Sequence, residues 1–182
     1  MRDVNQVLEF WLAPANRSLW FKKVPAFDEE IRRRFEPLHE RAAEGRLAQW
    51  QNTPEGSLAL VICLDQFPRN MYRGTPRAFA TDEKARAVAD WAVDRDFDLH
   101  FKGGDHRLFF YLPFEHSEDI DDQHRAVELI RTRCPDPELV RYAILHRDVI
   151  ARFGRFPHRN AILGRPSTPD EEDYLKQPGS GF

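Results

Sequence analysis

Cysteine is scarce in this sequence, with only Cys63 and Cys134 among 182 residues. Two cysteines cannot supply the framework of a disulfide-rich domain or a four-cysteine zinc site, both of which need more cysteines at close spacing. Both residues lie in apolar stretches with helical patterning. We therefore predict two reduced thiols in the core.

The chain also lacks a long apolar run and an excess of positive charge. The start MRDVNQVLEFWL has no extended apolar segment behind basic residues, so no signal peptide is predicted. No segment reaches the roughly 20 apolar residues of a membrane span. The formal net charge of −3 gives no support to non-specific binding of nucleic acid. These absences predict a cytoplasmic protein without membrane or nucleic-acid partners, and they leave the oligomeric state open.

Aromatic and aliphatic residues are plentiful, and their spacing is helical. The 14 Phe and 4 Trp, within a hydrophobic fraction of 41%, suffice for one sizeable core. Apolar residues recur at intervals of three and four, as in Phe27, Ile31, Phe35 and Leu38. The apolar segment SLALVICL (57–64) fits a buried strand or a buried helix, and a helix is favoured because no second strand-like segment exists to pair with it.

Successive helical segments are joined by short connections, which is typical of antiparallel helix pairs. No fixed repeat period is present. The sequence therefore predicts an all-α fold of stacked antiparallel helical hairpins without a clear sequence repeat. Residues 1–176 are predicted to form a single helical domain, and residues 177–182 a flexible tail.

Capping and breaking residues place several helix ends. Pro113 is predicted to close the apolar block HRLFFYLPF, and Ser117 to cap the helix that follows. Thr81 is predicted to cap a helix that runs to about Asp94. The helix of DPELVRYAILHRDVIARFG is predicted to end at Gly154.

The segment LDQFPRNMYRG places the carboxylate of Asp65 at the end of the apolar stretch. A carboxylate there faces the negative end of the helix dipole and needs a cation, for which Arg69 and Arg73 are nearest in sequence. One interpretation is a structural salt bridge, and the other is the wall of a ligand site. The residues that would hydrogen-bond a ligand are Gln66, Arg69, Asn70 and Arg73.

A second polar cluster, LPFEHSEDIDDQ, contains His116 between an apolar block and an acidic helix start. The spacing of a zinc-binding H-E-x-x-H motif is absent, and helix capping accounts for Ser117, Glu118 and Asp119. No metal and no cofactor are therefore predicted. His116 remains a candidate for ligand binding and for acid–base chemistry.

The third cluster, HRDVIARFGRFPHRN, spans residues 146–160 and is the richest in arginine. On a helix His146 faces the apolar side, while Asp148, Arg152 and Arg155 share another line. Asp148 is therefore predicted to pair with Arg152, leaving Arg155 free at the helix end. Three further polar residues follow the turn at Gly154, namely His158, Arg159 and Asn160.

The arginines of this third cluster have two interpretations. A guanidinium offers a planar fork suited to carboxylate or phosphate, so Arg152, Arg155, His158, Arg159 and Asn160 are candidate ligand-binding residues. Alternatively, these arginines tie the last helices to the acidic helix start at residues 118–122. The sequence leaves both interpretations open.

The strings VLEFWL, LDQFPRNMYRG, AFATD, FFYLPFEHSED and HRDVIARFGRFPHRNAILGRPST resemble the bacterial domain-of-unknown-function family nine-two-four. The resemblance runs over nearly the whole chain. It implies an all-helical fold of the tetratricopeptide-like superfamily, and it implies no particular activity.

Three hypotheses for function follow. The first is a domain that binds an anionic small molecule or an acidic peptide through an Arg/His-rich cleft. The second is an enzyme in which His116, His146 or His158 acts as acid or base, oriented by Asp65 or Asp148, while arginines hold an anionic substrate. The third is a structural role, with these groups locked in buried salt bridges. A histidine–carboxylate pair facing a cleft would favour the enzyme, and solvent-open guanidinium groups would favour binding.

Overall fold

The computed structural model describes residues 2–181, and within that range it contains helices and turns but no β-strand. Met1 and Phe182 lie outside the described residues. The all-α prediction is confirmed. The α-helices are α1 (Arg2–Trp11), α2 (Pro14–Arg17), α3 (Pro25–Ala43), α4 (Pro54–Val61), α5 (Phe67–Met71), α6 (Asp82–Val93), α7 (Gly104–Glu115), α8 (Ile120–Arg133), α9 (Pro137–Phe153), α10 (Asn160–Leu163) and α11 (Pro169–Leu175).

Several helix ends follow ordinary capping chemistry, and the predicted end at Gly154 is among them. The Thr53 side chain accepts a hydrogen bond from the Gly56 N–H at the start of α4. Asp136 caps α9 in the same way, ahead of a proline in the first helical position. Gly154 ends α9 with φ of 69°, a left-handed conformation that glycine adopts without steric cost.

Two of the predicted ends are wrong. Helix α7 continues through Pro113 to Glu115. The hydrogen bond that the proline removes is outweighed because eight consecutive residues, 108–115, are buried. The cap of α8 is Asp119, which accepts from the Asp121 N–H, whereas the Ser117 hydroxyl donates to Asp122 at 2.6 Å.

Aromatic side chains form the centre of the core. The Trp11 ring packs edge-on against Phe67 and Phe109, with centroids 5.6 and 5.7 Å apart, and Phe35 stacks on Phe67 at 4.8 Å. The hydrophobic cluster around them includes residues from α1 and from every helix between α3 and α9. Most of the chain therefore packs on one continuous core.

The helical run Pro54–Met71 crosses the middle of this core and contains a π-helical turn at Ile62–Gln66. Its residues from Gly56 to Pro68 are buried, as predicted for a central helix. The turn widens the helix, because the Phe67 N–H bonds to the carbonyl five residues earlier. Such π turns occur frequently at functional sites.

Pro68 explains why the helix departs from α geometry here. It has no N–H to donate to the carbonyls of Cys63 and Leu64, one turn earlier. Side chains take over that role: His39 Nδ1 lies 2.8 Å from the Cys63 oxygen, and the Thr81 hydroxyl donates to the Leu64 oxygen at 2.5 Å. Thr81 thus precedes α6 as predicted, but its side chain bonds the π turn instead of capping the helix.

We expect Phe67→Ala to lower the free energy of unfolding by about 3–5 kcal/mol, since it opens a cavity between Trp11 and Phe35. The matched control is Phe21→Ala, because that ring is 65% exposed and should change stability by less than about 0.5 kcal/mol. Urea denaturation measures both. Equal losses in the two variants would contradict the assignment of the core.

Candidate functional site

A cleft of about 830 Å³ opens between α7 and α9. Its walls are largely apolar, with Leu108 and Leu112 from α7 and Leu139 and Val149 from α9, and residues 177–181 line it near the chain end. The volume falls within the usual range for small-molecule sites, which are mostly apolar with a few polar groups.

Three titratable side chains line this cleft where α7 meets α9: Glu115, His116 and His146. Glu115 is the last residue of α7, and His116 follows it directly. Glu115 and His146 are buried, whereas the side chain of His116 retains 16% exposure. These three groups therefore lie together in one part of a largely apolar cleft.

His116 forms a pair with Asp65, which belongs to the π turn and lies 51 residues earlier in the chain. His116 Nδ1 lies 2.8 Å from Asp65 Oδ1, and the aspartate is fully buried. Gln66 Nε2 donates to the other carboxylate oxygen at 2.5 Å. The carboxylate fixes the orientation of the imidazole ring at the cleft.

Behind this pair, two arginines and a second aspartate complete a polar network. Arg69 lies 3.1 Å from Asp65 and forms a two-pronged ion pair with Asp82 at 2.7 and 2.9 Å. Arg159 lies 3.7 Å from Asp82 and donates to the His116 carbonyl at 2.9 Å. Two carboxylates balance two guanidinium groups, so the network needs no charge on His116.

The network sets the protonation states of the pair. Burial by itself would raise the pKa of Asp65, but the charge of Arg69 and the bond from His116 lower it to about 2. Burial lowers the pKa of His116, and Arg69 lowers it further against the effect of Asp65. At neutral pH the pair is thus a carboxylate and a neutral imidazole.

Glu115 and His146 form the other half of the cluster. His146 Nδ1 lies 2.9 Å from the Tyr142 carbonyl and 3.2 Å from Glu115 Oε1. Burial, with the nearby charge of Asp65, raises the pKa of Glu115 to about 8. Burial lowers the pKa of His146 to about 3. The contact therefore joins two neutral groups at pH 7, and Glu115 keeps its proton.

Other predicted residues lie at the cleft or beside it. Asp148 and Arg152 both line the cleft, but they do not form the predicted pair with each other. Asp148 instead pairs with Arg147 at 2.6 Å, because the adjacent guanidinium reaches it directly. The His158 ring packs at a tilt against Phe156, with centroids 5.5 Å apart, and burial lowers the pKa of His158 to about 4.

Two further predictions for the arginines are wrong. Arg73 does not reach Asp65; it pairs with Asp28 of α3 at 2.6 Å, and Asn70 donates to the same carboxylate at 2.7 Å. Asp28 becomes available because α3 packs against α5, which sequence spacing does not reveal.

Arg155 is likewise not free. It forms a two-pronged ion pair with Glu171 of α11 at 2.6 and 2.8 Å, and Asn160 Nδ2 lies 3.3 Å from that same carboxylate. The carboxylate comes from the segment after the turn, so counting along α9 cannot find it. Arg155 and Asn160 thus serve to anchor α11.

The sequence reasoning missed the roles of Glu115, Asp82 and Arg165. Glu115 is not among the residues selected from the sequence, although its position at the end of the buried block FFYLPFE signals burial. Glu118 does connect the start of α8 to the last part of the chain, but through Arg165, at 2.7 and 2.9 Å. That connection uses none of the arginines that the sequence singled out.

Both cysteines are free and buried, as predicted. Among residues 2–181, no group of three or more histidine, cysteine, aspartate or glutamate side chains has an arrangement that could hold a metal ion. None of the helices in that range is both long and apolar enough to cross a membrane.

Comparison with known proteins finds a matching family and a similar solved structure. The sequence profile of a family described as "Bacterial protein of unknown function (DUF924)" matches residues 7–179. A solved structure, that of the protein of unknown function ATU0120 from Agrobacterium tumefaciens, is similar with 45% sequence identity and a TM-score of 0.90. That similarity covers 95% of this chain and 96% of the other. No curated protein matches the chain.

The raised pKa of Glu115 makes stability depend on pH. The unfolded chain ionises this carboxyl near its ordinary pKa of 4.5, and the folded chain only near 8. The contribution of the Glu115 carboxyl group to the free energy of unfolding is therefore fully present below pH 4.5 and is lost as pH rises through about 8. We expect the Tm of Glu115→Gln, relative to the unmodified protein, to increase steadily between pH 5 and pH 8.

Thermal unfolding at a series of pH values measures this difference. Glu128→Gln, at an exposed position on α8, controls for the loss of a glutamate from the surface. A Tm difference for Glu115→Gln that stays constant from pH 5 to pH 8 would contradict a neutral, buried Glu115.

Proposed function

The chain belongs to the bacterial DUF924 family of unknown function, and we propose that its cleft is the active site of an enzyme that transfers protons. In this proposal His116 is the general base, Asp65 is its positioning residue, and Glu115 is the general acid. The observation that carries the proposal is the His116–Asp65 hydrogen bond of 2.8 Å beside an open cleft.

The geometry supports His116 as the base because the carboxylate selects its tautomer. An ionised Asp65 can only accept, so His116 Nδ1 carries the proton and Nε2 keeps a lone pair. No residue from 2 to 181 forms a further hydrogen bond with the His116 ring, which leaves Nε2 for a substrate. A carboxylate in this position also stabilises the imidazolium that forms when the base takes up a proton.

Glu115 supports the complementary step. Neighbouring groups whose environments separate their pKa values are suited to act as acid and base together. His116 is neutral and ready to accept a proton, while Glu115 is protonated and ready to donate one. The reaction would remove a proton from substrate or water at His116 Nε2 and deliver one from Glu115 to the developing anion.

The cysteines give no support to covalent catalysis. Burial raises the pKa of the Cys134 thiol to about 12 and raises that of Cys63 as well. A protonated thiol is a weak nucleophile. This favours direct proton transfer or attack by an activated water.

The alternative of an arginine-rich anion site has weaker support. Most of the guanidinium groups proposed for it are held by carboxylates of the same chain, namely those of Arg69, Arg73, Arg155 and Arg159. A bound anion would have to displace these partners and leave buried or half-buried carboxylates unpaired, which is costly.

The proposal predicts a bell-shaped dependence of kcat/KM on pH. Activity should rise as His116 loses its proton, with an apparent pKa below 6.5, and fall as Glu115 ionises near pH 8. A panel of esters, lactones, β-hydroxy acids and enolisable ketones provides the substrates. In Glu115→Gln the decrease at alkaline pH should disappear.

For any substrate that is turned over, His116→Gln should lower kcat/KM by about 100-fold or more, the usual contribution of a general base. His124→Gln is the matched control, because His124 is exposed on α8. Activity that survives in His116→Gln would exclude His116 as the base and, with it, the proposed function.

A further inference from the structure

The mouth of the cleft is lined by large apolar side chains that face water. Phe21, Tyr142 and Leu145 all line the cleft and are 65%, 46% and 39% exposed. They make up half of the six strongly exposed large hydrophobic residues within 2–181. A cluster of exposed apolar side chains on a protein surface marks a site that binds an apolar ligand.

Arg152 adds one charge to this apolar surface. It lies on α9 at the edge of the cleft, with its guanidinium carbon 4.6 Å from the centre of the Phe153 ring. No carboxylate of residues 2–181 forms an ion pair with Arg152, whereas Arg141 at the same cleft is paired with Glu138 at 3.3 Å. Arg152 can therefore receive an anion without displacing a partner.

Charge balance decides which kind of anion fits. The charged groups that line the cleft are Glu138, Arg141, Asp148 and Arg152. Glu138 pairs with Arg141 and Asp148 pairs with Arg147, so Arg152 is left with one uncompensated positive charge while Glu115 is protonated. A monoanion would neutralise Arg152, but a dianion such as a phosphate monoester would leave one uncompensated negative charge. In apolar surroundings that charge is costly.

We propose that the substrate is a monocarboxylate with an apolar body, whose carboxylate pairs with Arg152 while the body lies along α9 toward His116 and Glu115. This inference rests on the proposed function for the identity of the reacting end. Arg152 lies six residues beyond His146 on α9, which at 1.5 Å per residue is roughly 9 Å. A body of about that length would span the distance.

Binding of octanoate to the full chain tests the proposal, measured by isothermal titration calorimetry at pH 7. Octanoate should bind, while acetate, which lacks the body, and octylamine, which has the opposite charge, should bind at least about tenfold more weakly. Octyl phosphate should also bind more weakly than octanoate. Tighter binding of octylamine or octyl phosphate would overturn the proposed carboxylate.

Two variants assign the binding to the cleft. Arg152→Gln should weaken octanoate binding about tenfold or more, because a charge-assisted hydrogen bond is lost. Arg33→Gln, at an exposed position on α3, should leave it unchanged. Leu145→Asp should weaken binding by placing a like charge in the apolar wall. Octanoate that binds equally well to Arg152→Gln, or does not bind the unmodified protein at millimolar concentration, would overturn the proposal.

The result also separates this inference from the proposed function. Octanoate binding needs no proton transfer, so His116→Gln should retain it. If His116-dependent turnover is found but octanoate does not bind, only the substrate class is wrong. If octanoate binds and activity does not depend on His116, the cleft binds carboxylates but the proposed chemistry fails.

Discussion

A carboxylate buried without any exposure in an aromatic core must be compensated, and the compensation of Asp65 organises the rest of the site. Arg69 supplies charge, while His116 and Gln66 supply hydrogen bonds. Removing one partner from such a buried group typically costs several kcal/mol. The fold therefore holds His116 against the π turn, although the two segments are far apart in the chain.

The same requirement links further elements. Asp65 satisfies only part of the Arg69 guanidinium group. Asp82 at the start of α6 therefore forms a second ion pair with Arg69. Arg159 then joins Asp82 to the carbonyl of His116. The result is a closed ring of contacts that connects the π turn, α6 and the segment after α9. A preorganised ring of this kind can hold a catalytic base without reorganisation during the reaction.

The π turn is the local cause of this arrangement. Pro68 removes a backbone donor, so the helix widens. Two of its carbonyl groups then form hydrogen bonds with side chains from other segments. Asp65 and Gln66 lie within the widened turn. The departure from regular helix geometry and the candidate site thus occur at the same residues.

Local patterns in the sequence predict much of the fold. Apolar spacing gives the helices, and Asp136 and Gly154 mark the ends of α9 because capping depends on neighbouring residues alone. The pairing of Asp65 with Arg69 follows from their separation of four residues. The continuation of α7 through Pro113 does not follow, since it depends on burial against distant helices.

The site itself could be predicted only in part. The sequence identifies His116 and Asp65 as candidates, but their contact spans 51 residues and depends on how α7 packs on the central helix. Arg155 and Glu171 show the same limit, because the carboxylate belongs to a helix beyond a turn. Residue types therefore predict which groups carry chemistry, and packing decides which of them meet.

The proposed chemistry requires Asp65 to hold His116 in the tautomer that presents a basic Nε2 to the cleft. Long-range proton–nitrogen NMR correlations of the imidazole rings at pH 7.5 measure it directly, with His116→Gln assigning the signals. Because an ionised Asp65 accepts from Nδ1, we expect a neutral ring with a protonated Nδ1 and an unprotonated Nε2. A ring protonated at Nε2 alone, or at both nitrogens, would contradict it.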